Sequence, residues 1–432
     1  MADTTGVKNS LHDIVREGKF IEIPDDTALD LFKEAFGTEL SHLRDASPTV
    51  ESGASKPLQG SPSQRVFRRD FHEVNRTLTS MLAIKWVLAG DYATFTGGQK
   101  DNKLEVGSFE KLQTFCRDRL PTPEEIYALI VAMAIDDIGK DKALAKDLGM
   151  VEKNHAEVLL EAVRREKVPA LETVTEQNKK DIIQSLEIGS KLDISQMVQG
   201  ETVPRSLLVL NDGRRLEKAF NIKAMVTFLD VGGAAAHCNP RGCVVMTQPV
   251  FRHYMKAIEL LDSYRQEESP DWTECYGKYL AYRHAILEGA GLVSLSAETL
   301  EGRALLRLLC MGRVETKARA DQFLSAFTSL VPDTKQKLVN GLSVMGIGDG
   351  KAILPYYAPG ILSEMLRGVP EDRIMEFLRV FMRFLVKVYD GSQPDRTKPD
   401  DLEERDLAGF QELVKTADFK RDPEILVREL DK

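Results

Sequence analysis

The sequence predicts an all-α protein, and three observations carry the prediction. Apolar residues recur at spacings of three and four in segment after segment. Helix-start signals open several of these segments, and Thr122-Pro123-Glu124-Glu125 is the strongest of them. The alternating pattern of a half-buried strand is almost absent. A chain of 432 residues has room for two or three domains. We read an N-terminal helical arm and linker over 1–65, a helical domain over 66–245, a second helical domain over 246–390, and a linker with a polar helix over 391–432.

Taken in order, residues 26–44 read as an amphipathic helix through Leu29, Phe32, Phe36, Leu40 and Leu43. The stretch 46–64 is rich in Ser, Pro and Gly and reads as a linker or long loop. Residues 68–89 form the next helix, with Phe71, Val74, Leu78, Met81, Leu82 and Trp86 on its apolar side, and 96–107 reads as a loop. Thr122 then suits a helix cap, Pro123 the first helical position, and Glu125 closes a capping box. That helix runs into Asp136 and Asp137, and a short helix after them ends at Gly149. Asn154 with Glu157 opens another helix and puts His155 in its first turn. Residues 175–190 read as a solvated helix and 204–211 as a short strand or loop. A helix over 214–237 carries Asp230 and the run Gly232 to Ala236, whose small residues admit a second backbone or a ligand. Beyond Cys243 we expect helices over 247–266, 270–288, 297–311, 315–330, 333–345, 358–367 and 371–389. An exposed linker over 390–400 precedes a polar helix over 401–416. No period of 30–45 residues recurs, which argues against a repeat solenoid.

Composition narrows the function. A net charge of −9 disfavours a dedicated nucleic-acid binder, though a local cluster can still hold a small anion. No run of 18 uncharged apolar residues exists to span a membrane, and Met1 to Leu11 has no secretory apolar region. Five scattered cysteines fit reduced thiols. We therefore expect a cytoplasmic protein with a small-molecule substrate, and the helices past residue 250 as the surface for any homo-oligomer.

The segment Ile126 to Lys140 carries the chemistry. It is an almost wholly apolar helix that ends in two adjacent carboxylates, a glycine and a lysine. Such a helix is normally buried on every side, and buried carboxylates require a cation or hydrogen-bond donors. His72, His155 and Asp230 lie on three other helices, so four helices could bring nitrogen and oxygen ligands around one metal. Imidazole and carboxylate ligands suit divalent Fe, Mn, Zn, Co or Ni.

Residues Leu129 to Lys140, with the core Asp137-Ile138-Gly139-Lys140, resemble the hallmark segment of the HD-domain superfamily. There an apolar helix ends in His-Asp followed by an apolar residue, Gly and Lys. The resemblance spans roughly residues 68–240. It implies that His72 is the upstream histidine ligand, Asp137 the aspartate of the pair, His155 a downstream histidine and Asp230 the terminal aspartate. Asp136 stands where the family has its motif histidine. The resemblance implies a helical domain binding one or two divalent metals through His72, Asp136, Asp137, His155 and Asp230. Lys140 would neutralise an anionic substrate or a neighbouring carboxylate. The implied reaction is metal-assisted hydrolysis of a phosphate ester or nucleotide. The alternatives are a di-iron oxygenase of the same superfamily, or a non-catalytic helical interaction protein in which Asp136 marks a decayed site.

Each of these residues also has a plain structural reading. Asp136 and Asp137 could pair with Lys140, Lys142 or an arginine, although carboxylates at a helix C-terminus oppose its dipole. His72 could sit half-buried beside Glu73 and Arg76, and His155 could face solvent. His237 is a reserve ligand two turns beyond Asp230. The Cys238 and Cys243 spacing lacks a second ligand pair for zinc. Gly346 to Lys351 fails as a phosphate loop, because Met345 stands where a glycine is required and Ala352 where Ser or Thr is required, so it reads as a turn.

Overall fold

The computed structural model describes residues 10–47, 60–211, 213–292, 295–391 and 401–430. The protein is predominantly all-α, with 69% helix and, among the described residues, two short parallel strands. The chain divides into two units, Met1–Ser190 with Gly213–Met255, and Lys191–Asp212 with Lys256–Lys432. Residues 191–212 belong with the C-terminal unit. Leu11–Arg16 packs on Pro123–Ile135, and Asp25–Ala35 packs on His72–Ala89.

The first unit is built around the helix Pro123–Ile135, in which every side chain from Ile126 to Ile135 is buried. The helices His72–Ala89, Glu176–Gly189 and Glu217–Gly233 surround it. Its start follows the capping box: Thr122 Oγ1 accepts the Glu125 N–H at 3.2 Å, and Glu125 Oε2 accepts the Thr122 N–H at 3.0 Å. The expected helix over 26–44 is two helices, Asp25–Ala35 and Gly37–Ala46, broken at Phe36, whose ring is fully buried. Periodicity continues through such a break because both helices present apolar residues to the same core. The helix Val106–Arg119 has no counterpart in the sequence reading.

Lys142–Leu148 ends at Gly149 in a left-handed conformation, φ 71°. Asn154 caps His155–Arg164 by accepting the Glu157 N–H at 2.9 Å. Replacing Asn154 with Ala should cost about 1 kcal/mol, read by urea denaturation, and a cost near zero would show that another group satisfies this helix end. Asn75, part of an Asn-Arg-Thr sequence resembling a glycosylation site, is buried and accepts the Ser63 N–H at 2.8 Å.

The second unit has an aromatic core. Ile374–Val388 buries Phe377, Leu378, Phe381, Phe384 and Leu385, packs on Lys317–Thr328 and Pro332–Ser343, and meets Phe419 and Phe410 edge-on. Gly341 is required there, since a Cβ would stand 2.4 Å from Cβ of Tyr389. The segment 204–211, read as a strand or loop, is mostly a 3₁₀ helix, Pro204–Leu210. The polar helix expected over 401–416 is corrected. Strand β2, Asp401–Asp406, pairs in parallel with β1, Lys351–Tyr356, before a short helix at Gln411–Lys415. Five of the six β2 residues are charged, so its pairing rests on ladder hydrogen bonds and on Leu402 packing against Val203, Val344 and Ala352. The turn at Gly346 leads into β1 and is closed by Asp349, which accepts the N–H groups of Met345, Gly346 and Ile347. The expected linkers over 46–64 and 390–400 lie largely outside the described residues.

Candidate functional site

The first unit gathers an alternating row of charges from three elements. Lys140 Nζ lies 2.8 Å from Asp137 Oδ2 and 2.9 Å from Glu73 Oε2. Arg76 Nη1 lies 3.3 Å from the same Glu73 oxygen, and Arg76 Nη2 lies 3.2 Å from Asp230 Oδ1. The row Asp137–Lys140–Glu73–Arg76–Asp230 therefore ties the end of the central helix to His72–Ala89 and Glu217–Gly233. The Asp137 and Glu73 side chains are only 8% and 9% exposed, so both carboxylates depend on these cations.

Glycines set the spacing. A Cβ at Gly233 would lie 2.2 Å from Ser80 Oγ and 2.6 Å from the Arg76 carbonyl. The small residues near Asp230 thus admit a second backbone, that of His72–Ala89. Ser80 Oγ reinforces the contact by reaching Leu229 O at 2.9 Å. A Cβ at Gly139 would lie 1.9 Å from the His155 carbonyl oxygen, so Gly139 seats the first turn of His155–Arg164 against the turn that carries Asp137 and Lys140.

The two adjacent carboxylates differ in proton affinity. Burial pushes Asp136 up to about 6, and Asp137 and Asp230 add to this against the pull of Lys223. Burial acts on Asp137 too, but Lys140 and Arg76 outweigh it and hold that carboxyl below its ordinary value. Burial also opposes the charge on Glu73, where His72, Lys140 and Arg76 prevail and hold it well below. At Asp230 burial wins over Arg76 and raises the carboxyl. Lys140 stays protonated because Asp137 and Glu73 overcome its burial.

His72 lies half-buried, with Nδ1 3.7 Å from Glu73 Oε1 and its ring centroid 3.5 Å from that of His237. His237 Nδ1 is buried without a hydrogen-bond partner, and burial, His72 and Arg76 push the ring down to about 4. His155 belongs to the neighbourhood through its electrostatic contact with Asp137. All six residues singled out from the sequence, His72, Asp136, Asp137, Lys140, His155 and Asp230, therefore fall in one charged neighbourhood. Glu73, Arg76 and Lys223 were not singled out. Glu73 and Arg76 sit three residues apart on one helix face, which suggests only an ordinary surface pair.

Gathering is not coordination. Among the described residues, no three His, Cys, Asp or Glu side chains converge as a group that could hold a metal ion. The carboxylates of Asp137, Glu73 and Asp230 already face Lys140 and Arg76. In this arrangement the donor set does not fit a bound divalent metal.

A separate cleft of about 630 Å³ in the same unit is lined by Thr38, Ser41, His42, Asp141 and Lys167 among others. His42 Nδ1 lies 2.7 Å from Asp141 Oδ2, and Asp141 also accepts the Ala143 N–H at 2.8 Å. Elsewhere, His284 Nε2 accepts the Leu295 N–H at 2.8 Å, His253 is buried, and all five cysteines are free thiols.

No helix among the described residues is long and apolar enough to cross a membrane. Comparison with curated proteins and with solved structures finds no match. A family model described as "Family of unknown function (DUF6829)" matches residues 29–426, nearly the whole chain, and the protein belongs to that family.

Proposed function

We propose that the chain is a divergent HD-like hydrolase acting on a phosphate ester or nucleotide. The observation that carries this reading is the row Asp137–Lys140–Glu73–Arg76–Asp230, which begins beside Asp136 and leaves that carboxyl raised and Asp137 lowered. Paired groups pushed apart in this way take different roles, and strongly perturbed groups concentrate at functional sites. In this reading Asp136 takes the proton of the attacking water and returns it to the leaving oxygen. Lys140, Arg76 and Lys223 offset charge on the phosphoryl oxygens, while Asp137 keeps Lys140 protonated and in place. The protein is read as cytoplasmic, with a small anionic substrate rather than nucleic acid or membrane. The C-terminal helices are kept for self-association.

The test is phosphate release from a panel of phosphomonoesters and nucleotides, with Asp136→Asn beside the wild type. We expect release by the wild type and a loss of about 100-fold or more in the variant, with folding unchanged by circular dichroism. A folded wild type that releases no phosphate from any ester, or an equally active Asp136→Asn, would refute the reading.

A second reading, a divalent metal held through His72, Asp136, Asp137, His155 and Asp230, is favoured by the close contact of the His72 and His237 rings at the edge of this centre. It requires Lys140 to leave Asp137 and Glu73. Iron-dependent oxygen consumption would turn this reading towards an oxygenase. A protein inert in both assays would be the non-catalytic relative.

A further inference from the structure

We propose that Lys140, supported by Arg76, is the resident cation of this centre, occupying the place a divalent metal would take, so that the centre works without one. The proposal rests on reading the centre as an HD-like site, and it concerns the source of positive charge there.

The argument is geometric. Glu73 and Asp137 come from different elements, and each places an oxygen within 2.9 Å of the same ammonium. Two nearly buried carboxylates cannot face each other ionised without a cation between them. Lys140 supplies it from three residues beyond Asp137, so the Gly139 turn that brings Asp137 to the centre also brings its counter-charge. Arg76 serves the other side in the same way. It bridges Glu73 and Asp230, so the terminal carboxylate implied as a ligand already faces a guanidinium.

The sequence changes agree with this. Asp136 stands where the resemblance places a neutral imidazole, which puts one more carboxyl beside Asp137 and Lys140. Glu73, directly after the candidate ligand His72, adds a second carboxylate to the Lys140 ammonium beside that of Asp137. A tethered ammonium satisfies both groups and cannot be lost to a chelator.

The same geometry states what happens when the ammonium is removed. Glu73 and Asp137 are left facing each other across the space it filled, with His72 Nδ1 3.7 Å from Glu73. With Lys140 between them these side chains do not converge as one group, but two carboxylates and an imidazole are the donor types a divalent ion takes. Loss of Lys140 should therefore create a metal site.

The experiment compares the full-length wild type with Lys140→Ala and Lys140→Arg, each purified without a tag or chelator. Metal content is measured as isolated and after incubation with Mn²⁺. Mn²⁺ binding is followed by electron paramagnetic resonance, and melting temperature is recorded with Mn²⁺ or EDTA. Lys140→Gln, which keeps a hydrogen-bond donor without the charge, is the second neutral variant should Lys140→Ala fail to fold. We expect the wild type and Lys140→Arg to hold no stoichiometric metal and to melt at the same temperature in EDTA and Mn²⁺. The neutral variants should take up near-stoichiometric Mn²⁺ and melt higher in its presence. Near-stoichiometric metal in the wild type, with a lower melting temperature after chelation, would overturn the proposal. So would the absence of Mn²⁺ uptake by every variant, which would show that Lys140 stands at no cation site. None of these readouts depends on catalysis, so failure of the hydrolase reading would be seen separately.

Discussion

Replacing Asp137 with Ala should lower the unfolding free energy by about 3 kcal/mol, because breaking a buried ion pair leaves its partner uncompensated. The figure is set at the lower end of the usual range since Lys140 is 24% exposed and keeps Glu73 as a partner. The loss should exceed that of Asp230→Ala, because the Asp230 side chain is 29% exposed and Arg76 retains Glu73 when it goes. Urea denaturation of the two variants at neutral pH gives the ordering directly. Equal losses, or a loss below about 1 kcal/mol for Asp137→Ala, would mean that the row of charges is not what joins these helices.

Gly139→Ala should be as damaging, at about 3 kcal/mol, through sterics alone. The added methyl would stand 1.9 Å from the His155 carbonyl oxygen, 2.9 Å from its carbon and 3.0 Å from the Leu159 nitrogen. All three atoms are backbone, so no side-chain rotation relieves the clash. The His155–Arg164 helix must move off the Asp137–Lys140 turn, and the electrostatic contact of His155 with Asp137 weakens with it. Denaturation should show the loss, and hydrogen exchange should show faster exchange in the first turn of that helix. A variant as stable as the wild type would show that the two elements are not packed as described.

The elements most legible in the sequence were those governed by local chemistry. Thr122, Pro123 and Glu125 announce a helix start because the cap is satisfied within four residues, and Asn154 with Glu157 does the same. Gly149 marks a helix end because it adopts a conformation costly for other residues. The apolar run Ile126 to Ile135 signals burial on every side by having no polar face. What stayed hidden depends on distant partners. Asp401–Asp406 reads as a polar helix because its charges carry no strand signal, and its state is decided by Lys351–Tyr356, some fifty residues earlier. The site shows the same division. Asp136, Asp137 and Asp230 stand out as carboxylates in apolar surroundings. Arg76 and Glu73 read as a local helix pair, and only the fold turns them toward Asp230 and Lys140.

The split of the two carboxylates also contributes to the pH dependence of stability. Asp136 is raised in the folded protein, so the folded state holds its proton more tightly. The stability this gives is present below the unfolded value, about 3.9, and is lost as pH rises through about 6. Asp137 is lowered, so its contribution is present above the unfolded value and is lost as pH falls through the folded one. Asp136→Asn should therefore remove a decline in stability on the way up to about 6 and leave the acid limb intact.

The most direct measurement of the central claim is a carboxyl ¹³C NMR titration of the aspartates in wild type and Asp136→Asn. The account predicts one aspartate in the wild type with a midpoint near 6, absent from the variant. A wild type whose aspartates all titrate in the ordinary range around 4, with a variant spectrum lacking only one of those, would contradict it.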